Sequence, residues 1–406
     1  MSRSVRAQLI CALCLFCVAP ARAGTLTLDL PTAVARARER APAAVAARAR
    51  IAEAQGKRAG ALTLTQNPQF QGGAGRRYDA DHTRFLALDF QLTQPLDLGR
   101  GAPRRRVADA EIDRARGTND AELRELSYEV ATAFFDARAA DLAVELAQHG
   151  DALARRGAEA AERRRKAGDI TDLDLDLAKI AVGRAASALA AARAERADAI
   201  GRLGALIGAP PGDAIVLVGG LDAPVLSLAS LRGGVAARAD VRALDAEARV
   251  HRAELALADA NARLDAGLWL GYVRDEGASI YLSGLTLTFP VFNRSQGERA
   301  VARAGLRRAE LERGATVAAA SRQVVDAFEA YVRAREAVDV FEHEALPALD
   351  DFEHLLERSL DAGQLAIRDY LAARTELLAS RREHIDRRLR LARAAVTARY
   401  IAGVVL

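Results

Sequence analysis

At 406 residues the chain is half hydrophobic and 28% charged, yet only 5% aromatic, with eleven prolines and a single methionine and tryptophan. Alanine and arginine dominate, and lysine occurs only as Lys57, Lys166 and Lys179, a palette of long helices packed through small side chains rather than of a sandwich or doubly wound sheet. No stretch reaches the ~18 uninterrupted apolar residues of a membrane-spanning helix, which excludes an ordinary helical transporter.

Residues 1–23 have the form of a signal peptide. Arg3 and Arg6 precede the apolar run from Leu9 to Val18, and Ala21-Arg22-Ala23 is a small-x-small cleavage site, so the mature chain is expected to start at Gly24. Cys11, Cys14 and Cys17 all lie in this segment, each behind a bulky residue (Ile10, Leu13, Phe16) unsuited to lipid attachment. Without them the chain holds neither a disulfide nor a thiolate metal site. Loss of Arg3, Arg6 and Arg22 also lowers the net charge from +4 to +1. The remaining charges are interleaved along helical faces, unlike the segregated basic stripe of a nucleic-acid binder.

In chain order, a helix is expected over Thr32–Leu64, then two strands over Gln69–Arg77 and Thr83–Gln94 around a polar turn. Leu86, Leu88, Phe90 and Leu92 alternate with Ala87, Asp89, Gln91 and Thr93, which gives one apolar and one wet face. Helical patterning follows from Arg104 to Lys166, about 90 Å of helix at 1.5 Å per residue, and from Thr171 to Leu206, with Gly168 at the reversal. Residues 208–234, punctuated by Pro210-Pro211-Gly212, Gly219-Gly220 and Gly233-Gly234, read as a linker with a short strand at Ile215–Val218. The pattern then returns. A helix over Val235–Leu264 precedes strands over Gly267–Arg274 and Ser279–Phe289, where Leu285, Leu287 and Phe289 alternate with Gly284, Thr286 and Thr288. Pro103 and Pro290 are expected at or just before helix starts, and Pro347 is expected to bend its helix. Gly363 marks the second hairpin reversal.

The second half overlays the first with a shift of about 195 residues. Leu92-Thr93-Gln94-Pro95-Leu96 meets Leu287-Thr288-Phe289-Pro290-Val291, and Ala167-Gly168-Asp169-Ile170 meets Ala362-Gly363-Gln364-Leu365. Such a period is too long for a solenoid and indicates duplication of one large unit: residues 24–207 and 235–406, joined by the linker 208–234. Strand runs of about ten residues suit a tilted crossing of an outer-membrane bilayer.

The junction Phe289-Pro290-Val291-Phe292-Asn293-Arg294-Ser295-Gln296-Gly297, followed by Ala300, Ala302 and Ala304, resembles the TolC-type outer-membrane efflux proteins, and in particular their CzcC-like heavy-metal branch. Gln94-Pro95-Leu96-Asp97-Leu98-Gly99 resembles that branch's first junction, and the resemblance extends over essentially all of the mature chain. It implies a mainly α fold with a small β part, in which helical hairpins build an α-barrel and each chain of a homotrimer gives four strands to a 12-stranded outer-membrane β-barrel. It also implies a passive conduit from an inner-membrane pump (RND-type) and a periplasmic adaptor to the exterior, carrying heavy-metal cations or, as the alternative, drugs or organic compounds. A periplasmic coiled-coil adaptor or scaffold is the rival from another class, but it gives no reason for paired strands in both repeats. Four amphipathic strands cannot close alone, and open edges in lipid leave backbone groups unsatisfied, so a shared barrel is expected. Its lipid-facing band would be Leu86, Leu88, Phe90, Leu285, Leu287 and Phe289.

No catalytic or cofactor constellation stands out. His82, His149, His251, His343, His354 and His384 are scattered, Glu342-His343-Glu344 suits a solvated helix, and Gly72-Gly73-Ala74-Gly75 lies in a strand and not in a phosphate loop. The hairpin tips are the candidate site. Gly168 and Gly363 would dock the adaptor. Asp169, Asp172, Asp174 and Asp176, with Asp369 of the second tip where the resemblance places an acidic constriction, would form carboxylate rings at the periplasmic mouth. Mutual repulsion in such rings would raise some of these acids above ~3.9. The competing explanation is capping, with Asp169 as N-cap and Asp172 favoured by the helix dipole; it accounts less well for Asp174 and Asp176.

Overall fold

The computed structural model describes residues 25–62, 67–78, 84–276 and 278–404. The signal segment and the first hairpin turn, with His82, lie outside the described residues.

Helix α1 (Leu30–Arg40) opens with a capping box: Thr32 N–H donates to Asp29 Oδ1 at 2.9 Å, and Asp29 N–H donates to Thr32 Oγ1 at 3.0 Å. The single helix expected over Thr32–Leu64 is two helices. Ala41 is extended (ψ 139°), as a residue before proline prefers, and α2 (Pro42–Leu62) restarts at Pro42. Strands β2 (Gln69–Tyr78) and β3 (Arg84–Leu96) form a hairpin, followed by α3 (Gly101–Ala167) and α4 (Asp172–Leu206). With 67 residues, α3 is about 100 Å long.

The linker carries β4 (Ala214–Leu217) and the short helix α5 (Leu228–Gly234). A pairing not expected from the sequence ties it down. The strand β1 (Thr25–Leu28) runs parallel to β4, with Thr25 opposite Ala214 and Leu28 opposite Leu217. Leu28, Ile215 and Leu217 are buried against Val130, Phe134 and Leu203, so the linker closes one end of the core.

The second repeat contains α6 (Ala239–Asn261), β5 (Asp265–Asp275), β6 (Ala278–Thr288), α7 (Gln296–Val340), α8 (Leu346–Asp361) and α9 (Ile367–Ala402). Helix α7 begins 195 residues after α3 (Gln296 against Gly101), and α9 begins 195 residues after α4 (Ile367 against Asp172). Pro290 is not at a helix start. It follows β6, and α7 begins six residues later, after a turn described below. Between α7 and α8 the chain widens into a π-helical turn, Phe341–Ala345, in which Leu346 N–H reaches back to the Phe341 carbonyl. Pro347 cannot donate to the carbonyl one turn back, and the helix meets it with this π-helical turn.

All four long strands form one antiparallel sheet in the order β2-β3-β5-β6, the two hairpins joined by β3 and β5, with one edge of β2 and one of β6 unpaired. The helices pack through alanine: Ala131, Ala137, Ala161, Ala178, Ala309, Ala392 and Ala398 are fully buried. Alanine loses little side-chain freedom on ordering and lets helix axes approach closely. Near the hairpin tips Leu153, Leu356, Tyr370 and Leu377 fill a second core, where Gly157 leaves room for the Tyr370 ring. Among the described residues no helix is long and apolar enough to cross a membrane.

Candidate functional site

The tips are built by two glycines in the left-handed region. Gly168 has φ 83° and Gly363 φ 71°, conformations that a Cβ disfavours. Each ends its helix the same way. Gly168 N–H donates to Arg165 O at 3.1 Å and Asp169 N–H to Arg164 O at 2.9 Å; Gly363 N–H donates to Leu360 O at 3.2 Å and Gln364 N–H to Ser359 O at 3.0 Å. This double closure satisfies the last carbonyls and reverses the chain in a few residues.

Asp169 is therefore not the N-cap of α4. Its own N–H caps α3, and α4 starts three residues later, which leaves Thr171 as the N-cap. Thr171 and Asp174 form a capping box: Asp174 N–H donates to Thr171 Oγ1 at 3.2 Å, and Asp174 Oδ2 accepts from the Thr171 hydroxyl at 2.7 Å and from its N–H at 3.3 Å. Capping thus explains Asp174, contrary to expectation. Asp172 is held by Arg165 through two bonds of 2.5 and 3.1 Å, and Asp176 lies 3.7 Å from Lys179.

Arg368 Nε donates to Asp174 Oδ1 at 3.3 Å, tying the second tip to the first. Arg164 does the same through the backbone, donating to Leu365 O at 2.6 Å and to Leu360 O at 3.1 Å. Arg164, Arg165 and Arg368 were not singled out from the sequence. The basic run Arg163–Lys166 beside the acid-rich start of α4 was the available signal, but it names no partners.

These contacts reverse the expected titration within one chain. The Arg165 guanidinium holds Asp172 below the usual aspartate range, and the Thr171 hydroxyl and N–H do so for Asp174, with Arg368 assisting. Asp369 sits in the first turn of α9, exposed, and among the described residues it has no ion-pair partner. Asp169, Asp174 and Asp369 line one cavity of about 750 Å³ between the tips, together with Arg163, Arg164 and Arg368. Behind it, Tyr370 donates to Leu153 O at 2.8 Å, and burial pushes its hydroxyl up to about 12.

At the other end, the register sorts the sheet into two faces. One carries Phe70, Leu86, Leu88, Phe90, Leu92, Leu268, Leu270, Tyr272, Leu285 and Leu287, interrupted by Gln94 and Ser283; the other carries Gln71, Asp89, Gln91, Thr93, Gly267, Gly271, Thr286 and Thr288 together with the apolar Trp269, Val273, Ile280 and Leu282. Five of the six leucine and phenylalanine positions singled out from the sequence share the apolar face, and Phe289, 65% exposed, lies just beyond the end of β6. Phe70, Phe90, Tyr272 and Tyr281 form a ladder across all four strands, with successive centroids 5.9, 6.3 and 5.3 Å apart.

The junction motif is a self-contained turn. Asn293 Oδ1 accepts from Ser295 N–H at 3.0 Å, Gln296 Oε1 accepts from Arg294 N–H at 2.7 Å, and Gln296 Nε2 donates to Phe292 O at 3.1 Å, while Ser295 takes φ 55°. Pro290, exposed Phe292 and Gly297 flank it. At the first junction Asp97 bonds Arg104 at 2.7 Å and Arg100 bonds Asp265 at 3.1 Å. These residues fix how a strand turns into a helix. His149 pairs with Glu353 and His384 with Glu342, His251 lies 2.8 Å from Glu254 and 3.8 Å from Glu247, and no group of three or more His, Cys, Asp or Glu is placed to hold a metal among the described residues.

Residues 33–209 match the family described as outer membrane efflux protein. Protein CyaE of Bordetella pertussis is 29% identical over 313 residues, 71% of this chain; the match spans 64% of the length of that relative. Among solved structures, CusC superposes with a TM-score of 0.71 at 16% identity, covering 94% of each chain. VceC from Vibrio cholerae gives 0.70 at 18% identity, covering 92% of this chain and 96% of that one. MtrE of Neisseria gonorrhoeae, in its open state, gives 0.71 at 18%, with 92% and 89% covered. Residues 33–209 thus match the outer membrane efflux proteins, and the fold of the chain is shared with CusC, VceC and MtrE.

Proposed function

We propose that the chain is one subunit of a homotrimeric outer-membrane channel of a tripartite efflux system, which conducts solutes passively and catalyses no reaction. The observation that carries this reading is the four-stranded sheet, with a band of leucine and aromatic side chains on one face, Asp89, Gln91, Thr286 and Thr288 on the other and two unpaired edges, set on a helical body whose longest helix is about 100 Å. In lipid, unpaired backbone groups are costly and only closed barrels satisfy them. Three copies joined β6 to β2 give twelve strands and no edge, and the polar faces of Asp89, Gln91, Thr286 and Thr288 then line a water-filled lumen.

The helices extend into the periplasm of a Gram-negative cell, and the Gly168 and Gly363 tips meet a periplasmic adaptor and, through it, an RND-type inner-membrane pump. Asp369 and Asp169 are the acids of the mouth without an ion-pair partner among the described residues, while Asp172, Asp174 and Asp176 each face a cation of the tip. Heavy-metal cations are the proposed cargo, supported by the CzcC-like junctions and by the unpaired Asp369 at the mouth. Drugs or organic compounds are the second reading, favoured by the junction residues being engaged in a local turn and by the lack of a metal-holding cluster among the described residues. Planar-bilayer recording of the purified trimer tests the conduit: discrete cation-selective steps are expected, and an inserted trimer that passes no ions would refute it. Whether cells lacking the gene become sensitive to metal salts or to organic toxicants separates the two cargoes.

A further inference from the structure

On the apolar face of the sheet, at the end away from the helices, arginines succeed the leucines. Arg76 lies opposite Leu86, Arg274 opposite Leu88, and Arg84 opposite Tyr78, so the three share the face of the leucine band. All three are exposed, and none has an acidic partner among the described residues. The Arg84 guanidinium lies instead over the Tyr78 ring, 5.7 Å from its centroid. Arg77 makes the contrast. It is one residue along, on the polar face, and it bridges Asp275 at 2.9 Å and Glu276 at 2.8 Å.

Toward the helices the arginines of the apolar face meet Leu86 and Leu88 on β3, and the ladder of Phe70, Phe90, Tyr272 and Tyr281 crosses the leucine band beyond them. An apolar band followed by cations, with Tyr78 beside Arg84, is the order of environments met on leaving a bilayer. Arg76 and Arg274 flank β3, about 10 Å apart sideways at the usual strand spacing, a span over which two guanidinium groups can reach one headgroup. Guanidinium is matched to phosphate by its paired donors and sheds water more readily than an ammonium does.

We propose that Arg76, Arg84 and Arg274 form a binding site for the phosphate groups of an outer-leaflet lipid headgroup, present three times around the barrel. The inference rests on the channel reading, which places this end of the sheet at the cell exterior. A site on the polar face would serve free phosphate; one on the apolar face at the outer end of the leucine band is reached by a headgroup whose acyl chains lie along the leucines.

Native mass spectrometry of the membrane-extracted trimer tests this, using lipid A with two phosphates, the same lipid without phosphates, and inorganic phosphate. The wild type is expected to retain the phosphorylated lipid about tenfold over the dephosphorylated one, the worth of one charge-assisted bond, and inorganic phosphate in excess should not displace it. The variant Arg76→Gln/Arg84→Gln/Arg274→Gln should lose the preference while Arg77→Gln keeps it, and single Arg274→Gln should weaken it if the triple variant does not assemble. Equal retention of both lipids by the wild-type trimer, an unchanged preference in the variants, or easy displacement by inorganic phosphate would overturn the site. The trimer mass is read in the same spectra, so failure to form a membrane-extractable trimer would bring down the channel reading itself, and this site with it.

Discussion

Replacing Leu92 by arginine would put a guanidinium near the middle of the apolar face. On β3 that face runs from Leu96 to Leu86, ten steps of about 3.3 Å, or roughly 25 Å along the membrane normal at a barrel tilt near 40°. That height matches the apolar band of an outer-membrane barrel. Leu92 lies about 10 Å inside the helix-side edge on this scale, and Leu86 lies at the far edge. A lipid-facing arginine costs about 2–4 kcal/mol at the midplane and about 0–1 kcal/mol near an interface, so threefold symmetry raises Leu92→Arg to roughly 6–12 kcal/mol per trimer and leaves Leu86→Arg mild. By the same scale Leu287, opposite Ala266 at the helix end of the sheet, is a milder site than a midplane position. The opposite-face control is Gln91→Arg, which would point into water. Folding into liposomes, followed by urea titration and by retention of the trimer on unheated gels, measures all three. The expected order of damage is Leu92→Arg, then Leu86→Arg, then Gln91→Arg. Equal damage from Gln91→Arg and Leu92→Arg would show that the faces have been assigned wrongly.

Asp369→Ala should assemble normally but lose cation selectivity and block by multivalent cations in single-channel recordings from the periplasmic side; unchanged selectivity would remove Asp369 from the mouth. Because Asp172 and Asp174 are held below the ordinary aspartate range, their stabilisation of the tip is fully present above about pH 4 and is lost as pH falls through the folded-state values. Hydrogen-exchange protection of residues 164–176 should stay level down to that point and drop below it, and loss on raising the pH from neutrality would contradict the assigned partners. Gly157→Ala would set a Cβ 2.6 Å from Tyr370 Cε1, forcing the ring to shift and straining its bond to Leu153 O; about 1–3 kcal/mol of destabilisation is expected from overpacking, read as a lower urea midpoint. Arg368→Ala, which frees the second tip from Asp174, should raise the mean conductance measured from the periplasmic side.

What the sequence disclosed was whatever has a local signal. The apolar alternation of β3 and β6 and the glycine reversals at Gly168 and Gly363 each follow from residues within one or two turns of the feature. The break at Ala41 had such a signal in Pro42, outweighed by the alanine-rich pattern on both sides. The parallel pairing of β1 with β4 had none, because two four-residue strands far apart in sequence choose each other only through the core that buries Leu28 and Leu217. At the tip the acids were visible as acids, yet their partners were not. Arg165 reaches Asp172 only once the chain has reversed, and Arg368 reaches Asp174 only once the two repeats lie side by side. Asp169 was misassigned for a related reason: its N–H is committed to α3 by the conformation of Gly168, so the cap of α4 falls to Thr171.

The central claim is that three copies close one barrel by joining the free edge of β6 to the free edge of β2. Its most direct test is the native mass of the protein extracted from the outer-membrane fraction, with hydrogen exchange of β2 and β6 followed in the same preparation. Closure predicts a mass of three chains and edge strands as strongly protected as β3 and β5. A water-soluble monomer, or a trimer whose β2 and β6 amides exchange as freely as open edges, would contradict it.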